Sequence, residues 1–294
     1  MTAVFLLFLV LALLALRQSV VLILVVAAAY VHWFWGDGDL TYLVDDIWSS
    51  INRNVLLAIP MFILAGNIMT RGSIAERLIA IIRALTQWLP GGLAVATILS
   101  CAVFAAISGS SPVTLLAVGS ILYPALLQEG YSKKFSLGAL ASGGTLGVVI
   151  PPSIPMILYA IATEKSISDL FLAGIIPGLM LAGVLSVYAL IANRKIQSEP
   201  FDFVQTIQAF RNGIFALMTP VILLGGIYSG FFSATEAAAI AVGYSLLVEV
   251  FIHREIRMTD FFAIAVDTAR LLGTLFPIIA IAISINLLLT AESV

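Results

Sequence analysis

The stretch Gly143-Gly-Thr-Leu-Gly-Val-Val-Ile-Pro-Pro-Ser-Ile-Pro155 decides how this chain is read. It lies between apolar runs long enough to cross a bilayer, yet proline removes a backbone donor and clashes with the preceding turn, so no unbroken helix passes through it. In lipid the freed carbonyls and amides would cost several kcal/mol each, and irregular backbone survives only where protein buries it or where it faces water, an ion or a substrate. The stretch is therefore a candidate binding site on backbone chemistry alone.

Outward from it, composition sets the class. The chain has 294 residues, 61% hydrophobic and 10% charged, with a net charge of −2; a soluble domain carries roughly 25% charged residues. The fold class is an all-α polytopic membrane protein. The small net charge is uninformative about nucleic-acid or acidic partners, and no nucleic acid is expected as a partner; the lone Cys101 excludes an internal disulfide framework. No basic residue precedes the first apolar run, which reads as a membrane helix and not as a removable signal. There is no Walker A loop, no His-Glu-x-x-His and no Gly-x-Ser-x-Gly, so the sequence offers no enzyme site.

The charges order the spans. Residues 3–35 are too long for one upright helix, and form either one tilted helix or a short one followed by a second. The loop Gly36–Asp46, with Asp37, Asp39, Asp45 and Asp46 and no cation, belongs outside; a span over Ile47–Met69 returns to Arg71, Arg77 and Arg83 on the cytoplasmic side. Ser73-Ile-Ala-Glu76 has capping-box spacing and starts a short helix.

Gly91–Leu127 forms two apolar arms around Ser108-Gly-Ser-Ser-Pro112, each too short to span comfortably, with Lys133 and Lys134 beyond them on the same side as Arg83. A re-entrant hairpin entering from the cytoplasm satisfies both length and charge. Leu137–Ala162 then crosses outward with the break near its middle, a second cap pattern stands at Ser166–Asp169, and Leu170–Ala192 returns to Arg194 and Lys195. Spans over Ile214–Tyr228 and Ala234–Ile252 follow, the second ending inside at His253, Arg254 and Arg257; a last run covers Leu271–Leu289. His32 and His253 sit at span ends, where they are expected to meet water.

Arg53, Pro60 and Ala65 are matched by Arg270, Pro277 and Ala282, each 217 residues later and in the opposite direction across the membrane. That is the relation of inverted repeats in secondary transporters. The expected organisation is a first repeat over 1–192 (scaffold helices 1–69, hairpin 91–127, broken helix 137–162, return helix 170–192), a cytoplasmic connection over 193–213, and an incomplete second repeat over 214–294. The offset places a second hairpin and a second broken helix beyond Val294, as in the first part of a longer protein.

Candidate chemistry follows. Ser108, Ser110 and Ser111 offer hydroxyls at the tip, and unwound backbone from Gly144 to Pro152 offers carbonyls; hard oxygens of this kind suit Na⁺. The alternative is that small residues only let helices pack closely. Thr145 and Ser153 are side-chain candidates whose plain role is a hydroxyl bonded back to a carbonyl one turn earlier. Asn67 and Asn286 read as interhelical hydrogen-bonding groups, Glu236 as the partner of Ser233 in a capping box, and Asp267 with Arg270 as a local pair.

Ile59-Pro-Met-Phe-Ile-Leu-Ala-Gly66, the Ser108–Pro112 tip, Gly144-Thr-Leu-Gly-Val-Val-Ile-Pro-Pro-Ser153 and Ala234-Thr-Glu-Ala237 together resemble the large membrane subunit of tripartite ATP-independent periplasmic (TRAP) transporters. The resemblance implies Na⁺-coupled uptake of an organic acid, carboxylate or sialic-acid-like, across a bacterial inner membrane. It implies an elevator motion, a small membrane (Q) subunit and a periplasmic substrate-binding protein as partners. Carried onto this sequence, it implies a Na⁺ site at Ser108, Ser111, Gly144, Thr145, Gly147 and Pro151, and a substrate site beside it at Ser110, Pro152 and Ser153. Arg17-Gln-Ser stands where the family has glycine and proline. The rival class is an ion channel or a scaffold that couples nothing, since a pore also needs irregular backbone.

Overall fold

A computed structural model describes residues 2–35 and 41–291. Among the described residues there are fourteen α-helices and no strand. In order they are α1 (Thr2–Ala15), α2 (Val20–Trp35), α3 (Thr41–Ile51), α4 (Ala58–Arg71), α5 (Ile74–Thr86), α6 (Gly92–Ser108) and α7 (Ser111–Gln128). They continue as α8 (Lys133–Gly144), α9 (Leu146–Val149), α10 (Ile154–Thr163), α11 (Ile167–Ala192), α12 (Phe203–Tyr228), α13 (Ala234–Leu246) and α14 (Met258–Ala291). Seven segments of the described residues are long and apolar enough to cross a membrane. Large apolar side chains also stand exposed along them, Leu172, Ile176, Leu179 and Val184 of α11 among them, as lipid-facing surface requires. The chain is an all-α, multi-pass membrane protein.

Contacts divide it into two compact units, residues 1–56 with 269–294 and residues 57–268. In the first, α1 and α2 pack side by side, joined where Arg17 adopts φ +56°. The long first run is thus two helices. The Tyr30 hydroxyl donates to the Thr2 carbonyl at 3.1 Å. His32 does not meet water: its side chain is fully buried, with Nδ1 2.9 Å from the Ala28 carbonyl and Nε2 3.3 Å from Asp46 Oδ2. Of the expected outer loop, Asp37 and Asp39 lie outside the described residues, whereas Asp45 and Asp46 belong to α3. The span expected over Ile47–Met69 is interrupted after Ile51, and a 3₁₀ turn over Asn54–Leu57 leads into α4.

The second unit is built around α6. Helix α6 is apolar on all sides and is the one buried on all sides, packing against α5, α7, α8 and α11 with nearly every residue out of solvent. Helix α4 lies along α13, and α5 lies along α12. Asn67 bonds between helices as expected, its Nδ2 donating to Thr268 Oγ1 at 2.9 Å. Asp267 pairs with Arg71 at 2.6 Å, between exposed groups of two different helices. Helix α12 begins at Phe203, well before the apolar span at Ile214, because Asp202 Oδ1 accepts from the Val204 and Gln205 amides and starts it early.

Two cap predictions hold and one fails. Ser166 accepts from the Asp169 amide, and Ser233 with Glu236 forms a full capping box. At α5 the Ser73 side chain makes no cap bond. Glu249, fully buried in a π-helical turn over Leu247–Ile252, instead accepts from the Ser73 and Ile74 amides at 2.8 and 2.6 Å. His253, the second histidine expected to meet water, is held in the same cluster with its side chain 6% exposed.

Candidate functional site

The tip of the α6–α7 hairpin and the break between α8 and α10 meet inside the second unit. At the tip, α6 ends at Ser108, and Gly109 turns the chain with φ +61°, a left-handed conformation that costs a side chain about 1–2 kcal/mol. A Cβ on Gly109 would also stand 2.9 Å from the Pro152 carbonyl oxygen. The Gly109 carbonyl accepts from the Ile154 amide at 3.0 Å, which fastens the tip to the break by main-chain chemistry.

The break is short. Helix α8 stops at Gly144, the single turn α9 ends at Val149, and residues 150–153 run through a cis Pro151–Pro152 bond to α10. Its closeness to the tip depends on glycine: a Cβ on Gly147 would lie 2.9 Å from the Ser111 amide nitrogen, and one on Gly144 would touch Leu115. Behind the break, Gly174 and Gly178 of α11 leave room for the Val149 carbonyl and for Ile150. Small residues four apart allow this close approach.

The two segments restart their helices in the same way. Ser110-Ser-Pro112 opens α7 and Ser153-Ile-Pro155 opens α10, each with an extended serine (φ −134°, ψ 122° and φ −133°, ψ 129°) at the N-cap and proline in the first turn. Two helix N-termini thus start beside two helix C-termini, those of α6 and of the α8–α9 arm. Amide ends carry partial positive charge and carbonyl ends partial negative charge.

Of the residues expected at the ion site, Ser111 at the tip and Gly144 and Gly147 at the break are brought together, whereas Ser108 packs on Gly66 of α4. The Ser108 hydroxyl is fully buried and lies 2.9 Å from Thr114 Oγ1. Ser111 Oγ is buried with no hydrogen-bond partner. Thr145 is exposed, and its hydroxyl donates to the Ser142 carbonyl at 2.7 Å. Ser153 donates to the Val148 carbonyl at 2.6 Å. These are the plain roles foreseen for both residues, and donating the proton leaves oxygen lone pairs available. Pro151 and Pro152 supply carbonyls within the break, Pro152 directly over Gly109. Ser110 is 8% exposed at the tip.

Thr114 was not singled out in the sequence. Its signal is a hydroxyl one turn beyond the Ser110 cap of α7 in an otherwise apolar arm. The donor set is neutral oxygen throughout, and no cluster of three His, Cys, Asp or Glu able to hold a metal occurs among the described residues. Hydroxyls and carbonyls of this kind fit a hard monovalent cation and no soft transition metal. The orphaned Ser111 hydroxyl is a group that such a cation would satisfy.

A hairpin tip docked on a broken helix within a multi-pass helical membrane protein is the kind of irregular backbone that membrane transporters place at their binding sites. The family model described as the tripartite ATP-independent periplasmic transporter, DctM component, matches residues 6–294, and the chain belongs to this family. Its members are permease components and not enzymes. The ectoine TRAP transporter large permease protein TeaC of Halomonas elongata is 41% identical over 256 residues, 86% of this chain and 60% of its own length. The C4-dicarboxylate TRAP transporter large permease protein DctM of Pseudomonas aeruginosa is 41% identical over 251 residues, 84% of this chain and 59% of its own. The isethionate TRAP transporter permease protein DctMQ of Oleidesulfovibrio alaskensis is 37% identical over 265 residues, 88% of this chain and 41% of its own. The chain therefore spans about 60% of the length of the large permease relatives TeaC and DctM.

Proposed function

We propose that the chain is the greater part of the large subunit of a Na⁺-coupled symporter, which takes an organic acid across a bacterial inner membrane by an elevator motion. The observation that carries this reading is the docking of the Ser108–Pro112 tip on the Gly143–Pro155 break, with Ser111 Oγ buried there and unsatisfied. Carbonyl ends at Ser108 and Gly144, together with the Ser108, Ser111 and Thr145 hydroxyls and the backbone at Gly147 and Pro151, form the cation half. The amide ends at Ser110 and Ser153, beside Pro152, form the half that receives a carboxylate. Helix ends then attract both signs of charge without burying a charged side chain. A driven cycle fits a family whose relatives carry TRAP transporter names.

The remaining features follow the same reading. Residues 1–192 form the first of two inverted halves, 193–213 the cytoplasmic connection and 214–294 the start of the second half. The hairpin enters from the cytoplasmic side on charge placement, because Lys133 and Lys134 beyond α7 stand on the same side as Arg83 before α6. A small Q subunit serves as scaffold, and a periplasmic binding protein delivers the acid, of C4-dicarboxylate, sulfonate or zwitterionic type by analogy with the named relatives.

The test is uptake into proteoliposomes containing the full-length subunits and the binding protein. Uptake should require an inward Na⁺ gradient and collapse when choline replaces Na⁺. Undiminished uptake in choline sinks the coupling, and flux without the binding protein favours the channel.

A further inference from the structure

We propose a second binding site in this chain, for an anionic phospholipid, in the groove between α8 and α11 backed by α6. The groove encloses a cavity of about 510 Å³ lined by Ile98 of α6, by Ser132, Lys134, Phe135, Gly138 and Ser142 at and along α8, and by Leu185 and Tyr188 of α11. All of it belongs to the second unit. Gly138 points into open space: a Cβ built there meets no heavy atom within 4 Å.

The charges at one end of the groove select the occupant. Lys133 and Lys134 open α8, and Arg194 and Lys195 follow α11, four cations at one end of the helix group. The close approach of Gly91 to Asn193 shows that the start of α6 and the end of α11 share this end. Among the described residues no ion pair occupies any of the four. Of the acids at this end, Glu129 pairs with Arg83 at 2.6 Å and Asp202 caps α12, while Glu199 stands on the Glu129 and Arg83 side and makes no ion pair with any of the four cations. Away from the cations the walls are Ile98, Phe135, Ala139 and Leu185, and the neighbouring surface residues Leu137 and Tyr188 are 49% and 63% exposed.

Lys134 lines the slot itself, and Lys133, Arg194 and Lys195 stand at the same end; a basic end leading into a largely apolar slot matches a negatively charged headgroup with acyl chains attached. Basic pockets between membrane helices hold such lipids. A soluble phosphate would leave the slot empty, and a zwitterionic lipid would leave the cations unmatched. The site lies apart from the hairpin tip and does not depend on Na⁺ coupling.

The experiment is native mass spectrometry of the full chain released from nanodiscs of phosphatidylglycerol or of phosphatidylcholine. Symmetric discs present the same lipid to both faces, so an error in orientation cannot imitate failure of the site. One phosphatidylglycerol should stay bound per chain, and phosphatidylcholine should not. Lys134→Ala should reduce retention about tenfold, a loss of ~1.4 kcal/mol in affinity. Gly138→Leu, whose Cβ meets no heavy atom within 4 Å, should abolish retention with the thermal midpoint unchanged or raised. Lys165→Ala, in the turn between α10 and α11, should change nothing. sn-Glycerol 3-phosphate at millimolar concentration should not compete. Equal retention of the two lipids, no retention of either, retention that survives both groove variants, or competition by the soluble phosphate would overturn the proposal.

Discussion

Two places in residues 57–268 bring helix ends together in the interior, and they are finished differently. At the start of α5, the Ser73 and Ile74 amides are taken by the buried Glu249 carboxylate, while the Ser73 hydroxyl accepts from Arg77 Nε at 3.0 Å and lies 2.9 Å from His253 Nδ1. Every group in that cluster has a partner, and the charge is supplied by the protein itself. At the hairpin tip the groups are neutral, the serine caps of α7 and α10 make no cap bonds, and Ser111 Oγ has no partner. A completed set of hydrogen bonds fixes an element in place. A set left short by one positive charge can hold an ion that comes and goes.

The largest effect should come from dismantling the completed cluster. Glu249→Ala orphans two buried amides, at ~1–3 kcal/mol each, and should lower stability by about 3 kcal/mol or more. Unfolding in mild detergent measures it, and Glu249→Gln, which keeps an acceptor oxygen, should recover part of the loss. A midpoint unchanged in Glu249→Ala would mean that the α5 amides do not need this carboxylate.

At the tip the signs should separate. Ser111→Ala removes a buried hydroxyl that has no partner in the absence of an ion, so stability without Na⁺ should hold or rise. The same change should weaken the Na⁺ dependence of uptake about tenfold, or ~1.4 kcal/mol. Na⁺ titration of transport in the full-length complex reads one effect and thermal unfolding in choline reads the other. A Na⁺ dependence that does not move would return Ser111 to packing.

Two helices start with the same pattern, Ser73-Ile-Ala-Glu76 and Ser233-Ala-Thr-Glu236, yet only the second closes its capping box. Ser233→Ala should therefore cost about 1 kcal/mol, and Glu76→Ala should leave the unfolding midpoint nearly unchanged. Equal losses in the two variants would show that α5 relies on its local box after all.

The same pair of helix starts shows how far the sequence could be read. The hairpin tip and the break were legible because glycine, proline and serine inside apolar runs are local signals, and span length with charge placement brought them to one region. The Ser233 cap was legible for the same reason. Glu249 was not: it sits in the apolar turn Leu247-Val-Glu-Val-Phe-Ile252, where His253 is its one local partner, and the amides it accepts from lie 175 and 176 residues away. His32 is the same case: Asp46 reaches it only once α3 has formed. Hydropathy also located the membrane part of α12 but not its polar first turns, which carry Gln205, Gln208 and Arg211.

The smallest effect is a pH dependence of the completed cluster. His253 lies just beyond the apolar span that ends at Ile252. Burial first, and then the Arg77 guanidinium, hold its imidazole below the ordinary value of 6.5; Glu249 and Glu255 oppose them without prevailing. A histidine whose folded pKa is depressed is kept neutral by the fold, and the unfolded chain takes up the proton first as pH falls. Its contribution is therefore fully present above 6.5 and is lost as pH drops through 6.5 toward the lower folded value. The thermal midpoint should fall between pH 7.5 and 5.5, and His253→Gln should flatten that slope while Glu249 stays in place. A slope unchanged in His253→Gln would assign the pH dependence to other groups, and a midpoint that rises on acidification would mean that Glu249 prevails over burial and Arg77.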